Sequence, residues 1–215
     1  MVVEFLSKTK ISKDFLAEVI NQLKKASKNE QSSEDGEILS KLIMDMSNGQ
    51  KSPATFILQE NEYNFLSQNK KSLWSDYLIF RYKFKIYPIL KKLTDFPTHL
   101  LVEPVSYCNL KCSMCFQSDF TFTKKPYMGH IDIKLFKKVI DEAEKENCRA
   151  LTMASRGEPI LHPQFNEILK YVKGKFFDIK LNTNAMTLDE EKSRQILENG
   201  ITELVFSVDS ADKKE

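Results

Sequence analysis

Between residues 98 and 215 four short apolar runs alternate with three amphipathic segments, and this alternation limits the fold more than any other feature of the chain. His99-Leu100-Leu101-Val102-Glu103-Pro104-Val105 reads as a first strand. Asp132 then caps a helix reaching to about Glu146, with Leu135, Phe136, Val139, Ile140 and Ala143 at helical spacing. Arg149–Ala154 reads as the second strand. Pro163 stands where a first helical residue belongs, opening a helix through Phe165, Ile168, Leu169 and Val172. Phe176–Asn182 is the third strand, and Thr187-Leu188-Asp189-Glu190 reads as a capping box for a helix that stops at Asn199-Gly200. Thr202–Val208 is the fourth strand, and Asp212 looks like the start of another helix. Strands that alternate with helices pair in parallel through right-handed crossovers, which predicts an α/β fold. In such sheets and barrels, chemistry gathers in the loops at the C-terminal ends of the strands.

The residues able to carry chemistry fall in those loops. Cys108, Cys112 and Cys115, spaced C-x3-C-x2-C, follow the first strand; Ser155-Arg156-Gly157-Glu158-Pro159 follows the second. Asn182-Thr183-Asn184 ends the third strand and Ser207-Val208-Asp209-Ser210 the fourth. Thiolates are soft ligands suited to iron–sulfur clusters or zinc. Ordinary ferredoxin-like sites fill all four iron corners of a cluster with cysteine. Three thiolates leave one iron open, and an open position separates a catalytic metal site from a closed structural one. The same cysteines could instead bind zinc, with His130 or Cys148 as a fourth ligand. Cys148, at the start of a strand, reads better as a small buried hydrophobe. His99, His130 and His162 read as surface or capping residues, Glu103 as a solvated loop-end carboxylate, and Asn184 as a turn residue or a site lining.

C-x3-C-x2-C directly after a strand resembles the signature of the radical S-adenosylmethionine (radical SAM) superfamily, and the resemblance covers residues 98–215. It implies a partial (βα) barrel with about four βα units present, a 4Fe–4S cluster on Cys108, Cys112 and Cys115, and SAM chelated at the open iron. It also implies reductive cleavage of SAM to a 5′-deoxyadenosyl radical that abstracts a hydrogen atom from substrate. Arg156-Gly157-Glu158-Pro159 matches the family's Gly-Gly-Glu-Pro motif with arginine in place of the first glycine, so Gly157 and Glu158 are expected to bind the SAM amino group. Met114 takes the place of a residue, commonly aromatic, that packs near adenine. Ser207 and Asp209 match ribose-binding positions, and Asn182 is a further lining residue. A one-electron donor such as a flavodoxin or ferredoxin is implied. The arrangement resembles the peptide-modifying, SPASM-domain branch, although the C-terminal cysteines of that branch do not occur here. The family's barrel normally has six units, so four strands lead to the expectation of a truncated, partial or split product. The rival expectations are an inactive fragment that keeps the cluster and a zinc-binding interaction module.

Residues 1–97 read as a separate, mainly helical region. Asp14–Lys25 places Phe15, Leu16, Val19, Ile20 and Leu23 on one face, and a polar loop over residues 28–36 follows. A second helix buries Ile38, Leu39, Leu42, Ile43 and Met46 and stops at Asn48-Gly49. Residues 50–70 are polar and give no assignment. From Leu73 onward Trp74, Tyr77, Phe80, Tyr82, Phe84 and Tyr87 interleave with Arg81, Lys83 and Lys85. Such a stretch can stack bases, but it reads more simply as a helix burying its rings, with Pro88 kinking or ending it. A net charge of +2 gives no argument for nucleic acid or a membrane surface. No run is long and apolar enough to span a bilayer and no signal-peptide pattern opens the chain, which leads to the expectation of a cytoplasmic protein.

Overall fold

The computed structural model describes residues 11–28, 30, 33–49, 52–119, 121, 123–154 and 156–208. The chain divides into two compact units, Met1–Asp95 and Phe96–Glu215.

The first unit is helical. α1 (Lys13–Ser27) is capped by Ser12, whose hydroxyl accepts the Phe15 N–H at 3.1 Å, and it buries Val19 and Leu23. α2 (Glu34–Asn48) is capped by Ser33 and ends at Gly49, whose φ of 71° suits a residue without a Cβ. Within the stretch that gave no assignment lies α3 (Glu60–Gln68). Its signal is hidden because its central buried residue is a carboxylate. Glu62, fully buried, accepts from Arg81 Nε at 2.9 Å, Lys85 Nζ at 3.3 Å and the Gln59 N–H at 2.8 Å. A charge out of water persists only with partners of this kind. α4 (Trp74–Leu90) carries the aromatic stretch, and Trp74, Tyr77, Phe80, Tyr82 and Tyr87 are buried. Tyr77 lies flat on Phe65 with ring centroids 3.6 Å apart, so these rings serve the core. Pro88 sits in the last turn, and the helix ends two residues later at Leu90, with Lys91 in the left-handed region at φ 53°.

The second unit is a parallel four-stranded sheet in the order β1-β2-β3-β4, alternating with helices. The strands are β1 (His99–Val102), β2 (Ala150–Met153), β3 (Asp178–Thr183) and β4 (Glu203–Phe206). The helices are α5 (Ile133–Lys145), α6 (Phe165–Val172) and α7 (Glu190–Glu198). Each crossover returns the next strand beside the last, so all four C-terminal ends lie at one edge of the sheet, as the alternation predicts. Leu151 and Met153 of β2 and Ile179 and Leu181 of β3 pack on Phe136, Ile140 and Ala143 of α5, Ile168, Leu169 and Val172 of α6, and Ile196 of α7. Burying one such aliphatic side chain stabilises the fold by about 1.5–3 kcal/mol, so this layer fixes where the strand ends lie.

The strands are shorter than the apolar runs that announce them. β1 stops at Val102 and the chain turns at Glu103-Pro104, leaving Val105 in an isolated antiparallel bridge with His130. α6 begins at Phe165 instead of Pro163, because a 3-10 turn at Pro159–Leu161 precedes it and His162 Nδ1 accepts the Gln164 N–H at 3.0 Å. α7 is capped by Asp189 instead of Thr187: the Asp189 carboxylate accepts the Lys192 N–H at 2.7 Å, a stronger acceptor two residues closer to the helix. The helix expected from Asp212 lies outside the described residues.

Candidate active site at the strand ends

The loop after β2 is pressed against the entrance to the cysteine loop. A Cβ on Gly157 would lie 2.0 Å from the Val105 carbonyl oxygen and 2.7 Å from that of Tyr107, so only glycine fits. The contact is sealed by the Glu158 N–H, which donates to Tyr107 O at 2.9 Å. Further out, Gln117 Nε2 donates to the backbone carbonyls of Ser106, at 3.1 Å, and of Arg156. Ser106, buried, exchanges backbone and hydroxyl hydrogen bonds with Gly129. The cysteine loop is thus tied to the second strand's loop by one backbone bond and by the Gln117 side chain.

Glu158 is 2% exposed, and its carboxylate reaches β3. Oε1 accepts from Thr183 Oγ1 at 2.7 Å and from the Ile160 N–H at 3.2 Å, while Oε2 accepts from the Asn184 N–H at 2.7 Å. A carboxylate offers about four acceptor positions, so three fixed donors leave room for one more, from a ligand. Arg156, by contrast, turns away. Its Nε, Nη2 and backbone N–H all donate to the Glu103 carboxylate, at 2.8, 2.6 and 2.9 Å. This pairing holds the guanidinium above its ordinary pKa. Glu103 is therefore a structural partner of the loop and not the solvated carboxylate that the sequence suggests.

Cys108, Leu110, Cys112, Ala154, Gly157, Glu158, Asn182, Thr183, Asn184 and Ser207 line one cavity at the strand ends. The cavity brings together Cys108 and Cys112, Gly157 and Glu158, Asn182, and Ser207. Cys115 lies on the same loop, at the start of a 3-10 turn, with its sulfur accepting the Gln117 N–H at 3.5 Å. Met114 is exposed between the second and third cysteines. Neither lines the cavity. Asp209 lies outside the described residues. Cys148 is fully buried in the hydrophobic core, its thiol donates to Ala150 O at 3.6 Å, and burial pushes that thiol's pKa up. His130 stands edge-on to His162 with ring centroids 5.1 Å apart. Among the described residues, no three His, Cys, Asp or Glu side chains converge on a point that would hold a single metal ion.

Leu110 is a lining residue that sequence reasoning passes over, and Thr183 is named there only as part of the polar end of the third strand, with no role of its own. Thr183 left a trace, since it stands at a buried position of β3 where an apolar residue would be expected. Gln117 left none.

Comparison with known proteins accounts for the same loops. Residues 102–214 match the family described as the Radical SAM superfamily, just over half of the chain. The chain belongs to the radical SAM superfamily. Among curated relatives, a tungsten-containing aldehyde ferredoxin oxidoreductase cofactor-modifying protein of Pyrococcus furiosus is 33% identical over 112 residues, 52% of this chain and 30% of that protein. The antilisterial bacteriocin subtilosin biosynthesis protein AlbA of Bacillus subtilis is 30% identical over 120 residues, 55% of this chain and 25% of that one. The matched part is thus less than a third of the length of these relatives. Among solved structures, BtrN in complex with AdoMet and 2-DOIA is similar with a TM-score of 0.49 and 21% identity, covering 57% of this chain and 50% of that one.

The residues of this radical SAM chain suit a cluster and SAM on the chemistry of the donors alone. Three thiols on one loop, two of them in the cavity wall, meet a carboxylate with an acceptor position to spare and a glycine at a close backbone approach at the strand ends. In addition Asn182, on the cavity wall, has a buried Oδ1 with no hydrogen-bond partner among the described residues. An orphaned acceptor costs free energy unless a ligand supplies the donor.

Proposed function

We infer that this chain holds a 4Fe–4S cluster on Cys108, Cys112 and Cys115 and binds SAM beside it against Glu158. When bound, the pair supplies reductive cleavage of SAM to methionine and a 5′-deoxyadenosyl radical, which takes a hydrogen atom from substrate. The observation that carries the reading is the Glu158 carboxylate, three-quarters satisfied and locked by Thr183 and Asn184, in the same cavity wall as Cys108 and Cys112.

Each residue has a role in that reading. Glu158 accepts the SAM ammonium in its remaining position, a charge-assisted bond made stronger by burial. Gly157 lets the backbone of the second loop lie directly on the cysteine loop. Asn182 Oδ1 accepts from a donor on the nucleoside, and Ser207 and Asp209 take the ribose hydroxyls. Met114 offers a soft apolar surface to the adenine. The electron comes from a flavodoxin- or ferredoxin-type donor. Free thiols suit a reducing, cytoplasmic setting, and no helix among the described residues is long and apolar enough to cross a membrane.

The test is anaerobic reconstitution with iron and sulfide, reduction with dithionite in the presence of SAM, and quantification of 5′-deoxyadenosine. The reading expects release by the native sequence and none from Cys112→Ala. A cluster that forms without release would make the chain a binding fragment. Zinc without iron in the purified protein would hand the cysteines to a structural metal and overturn the reading.

A further inference from the structure

Asn184, on the cavity wall, donates to a cysteine sulfur through its side chain. Its Nδ2 lies 3.4 Å from Cys108 Sγ and 2.9 Å from Asn109 Oδ1. The direction of the amide is fixed by its other end, because Oδ1 accepts the Met186 N–H at 3.0 Å. An oxygen must face that N–H, so the NH2 group must face the sulfur. The backbone is fixed as well. The Asn184 N–H donates to Glu158 Oε2, and the Ala185 N–H donates to Thr183 Oγ1 at 3.0 Å. The following residue, Ala185, sits in the left-handed region at φ 61°. The donor is therefore in place before any charge arrives and needs no rearrangement to respond to it.

We propose that Asn184 is a positioning residue that sets the reduction potential of the cluster by hydrogen bonding to Cys108. This rests on the functional reading above and deepens it. A one-electron reduction adds negative charge to the cluster and its thiolates and takes up no proton. Asn184 lowers the cost of that charge on Cys108, because a hydrogen bond to sulfur strengthens as the sulfur becomes more negative. The Leu110 N–H, 3.4 Å from the same sulfur, acts in the same sense. Asn184 also touches Glu158 through its backbone, so one residue joins the proposed SAM acceptor to the electron-accepting end of the site.

The experiment is a dithionite titration of the reconstituted full chain, followed by EPR, for the native sequence, Asn184→Ala and Asn184→Asp. Asn184→Asp keeps the acceptor for Met186 and replaces the donor by a negative oxygen. The proposal expects cluster content to hold in all three. Midpoints should become more negative in the order native, Ala, Asp, with the reduced fraction at a fixed poise falling about two- to fivefold for Asn184→Ala, the effect of about 1 kcal/mol or less. Equal midpoints in all three would overturn it. Loss of the cluster from both variants with circular dichroism unchanged would also overturn it, because Asn184 would then be holding the loop and not tuning the electron. A native chain that takes up no cluster would contradict the functional reading itself, which is a distinguishable result.

Discussion

Glu103 receives Arg156 through three hydrogen bonds, two from the guanidinium and one from the backbone N–H of the same residue. The end of β1 thereby grips the loop after β2 at the position where this chain departs from the family's first glycine. Arg156 is partly solvated and so is screened, which makes the expected effect one of positioning. Arg156→Ala should leave cluster content unchanged and weaken SAM binding by up to about tenfold, the range of one partly exposed contact. Glu103→Gln should follow in the same direction and less far. Equilibrium binding of SAM to the anaerobically loaded variants checks both.

Gly157→Ala should be far more severe than its size suggests. The added methyl meets backbone atoms of Val105 and Tyr107, which cannot swing aside as a flexible side chain can. Overpacking of this kind costs about 1–3 kcal/mol. The Glu158 N–H to Tyr107 O bond is lost with it. Denaturant unfolding should show the loss of stability, and SAM should no longer alter the EPR spectrum of the reduced variant.

Glu158→Gln and Thr183→Val separate binding from support. Thr183→Val removes the buried hydrogen bond to Glu158 and the acceptor of the Ala185 N–H, and should cost about 1–3 kcal/mol of stability while keeping measurable SAM binding. Glu158→Gln leaves a single oxygen to serve the Thr183, Ile160 and Asn184 donors and removes the negative charge. SAM affinity should fall by about a hundredfold or more, as for a lost charge-assisted bond. Calorimetric titration of the two loaded variants with SAM gives the ratio directly.

His162 gives the second unit an acid-sensitive stability. Its Nε2 is 3.0 Å from Ile131 O and its Nδ1 accepts the Gln164 N–H, so the ring is neutral with the proton on Nε2. Burial holds its pKa below the ordinary histidine value, and the same cause lowers that of His99. Between the ordinary value of about 6.5 and the lowered one, the unfolded chain binds more protons than the folded chain. Stability is therefore complete above that window and falls as pH drops through it. Thermal melting midpoints should decline on acidification below about pH 6.5, and His162→Gln should flatten the slope. The Glu34 carboxyl in the helical unit, lowered from 4.5 to about 2 chiefly by Lys92, loses its contribution only in that much more acid range.

The elements that position the site were legible because their signals are periodic and local. Phe136, Ile140 and Ala143 announce α5, and Ile168, Leu169 and Val172 announce α6, and all six are buried where the pattern puts them. The three cysteines and Gly157-Glu158 were legible as spacing. What stayed hidden depends on pairing across sequence distance. Glu103 looks solvated until Arg156, 53 residues on, is folded against it. Thr183 looks like an ordinary strand residue until Glu158 reaches it from 25 residues away. α3 was concealed because Glu62 is buried through Arg81 and Lys85, an arrangement that hydrophobic periodicity does not record. Thr187 had the spacing of a cap, but an aspartate two residues later was the better acceptor.

If the cysteine loop and the Glu158 wall form one site for a cluster and SAM, SAM must perturb the reduced cluster. The most direct measurement is EPR of the anaerobically reconstituted, dithionite-reduced protein with and without SAM. A reduced 4Fe–4S signal should shift when SAM is added and no longer shift in Glu158→Gln. A reduced cluster whose signal is the same with and without SAM would contradict a single shared site.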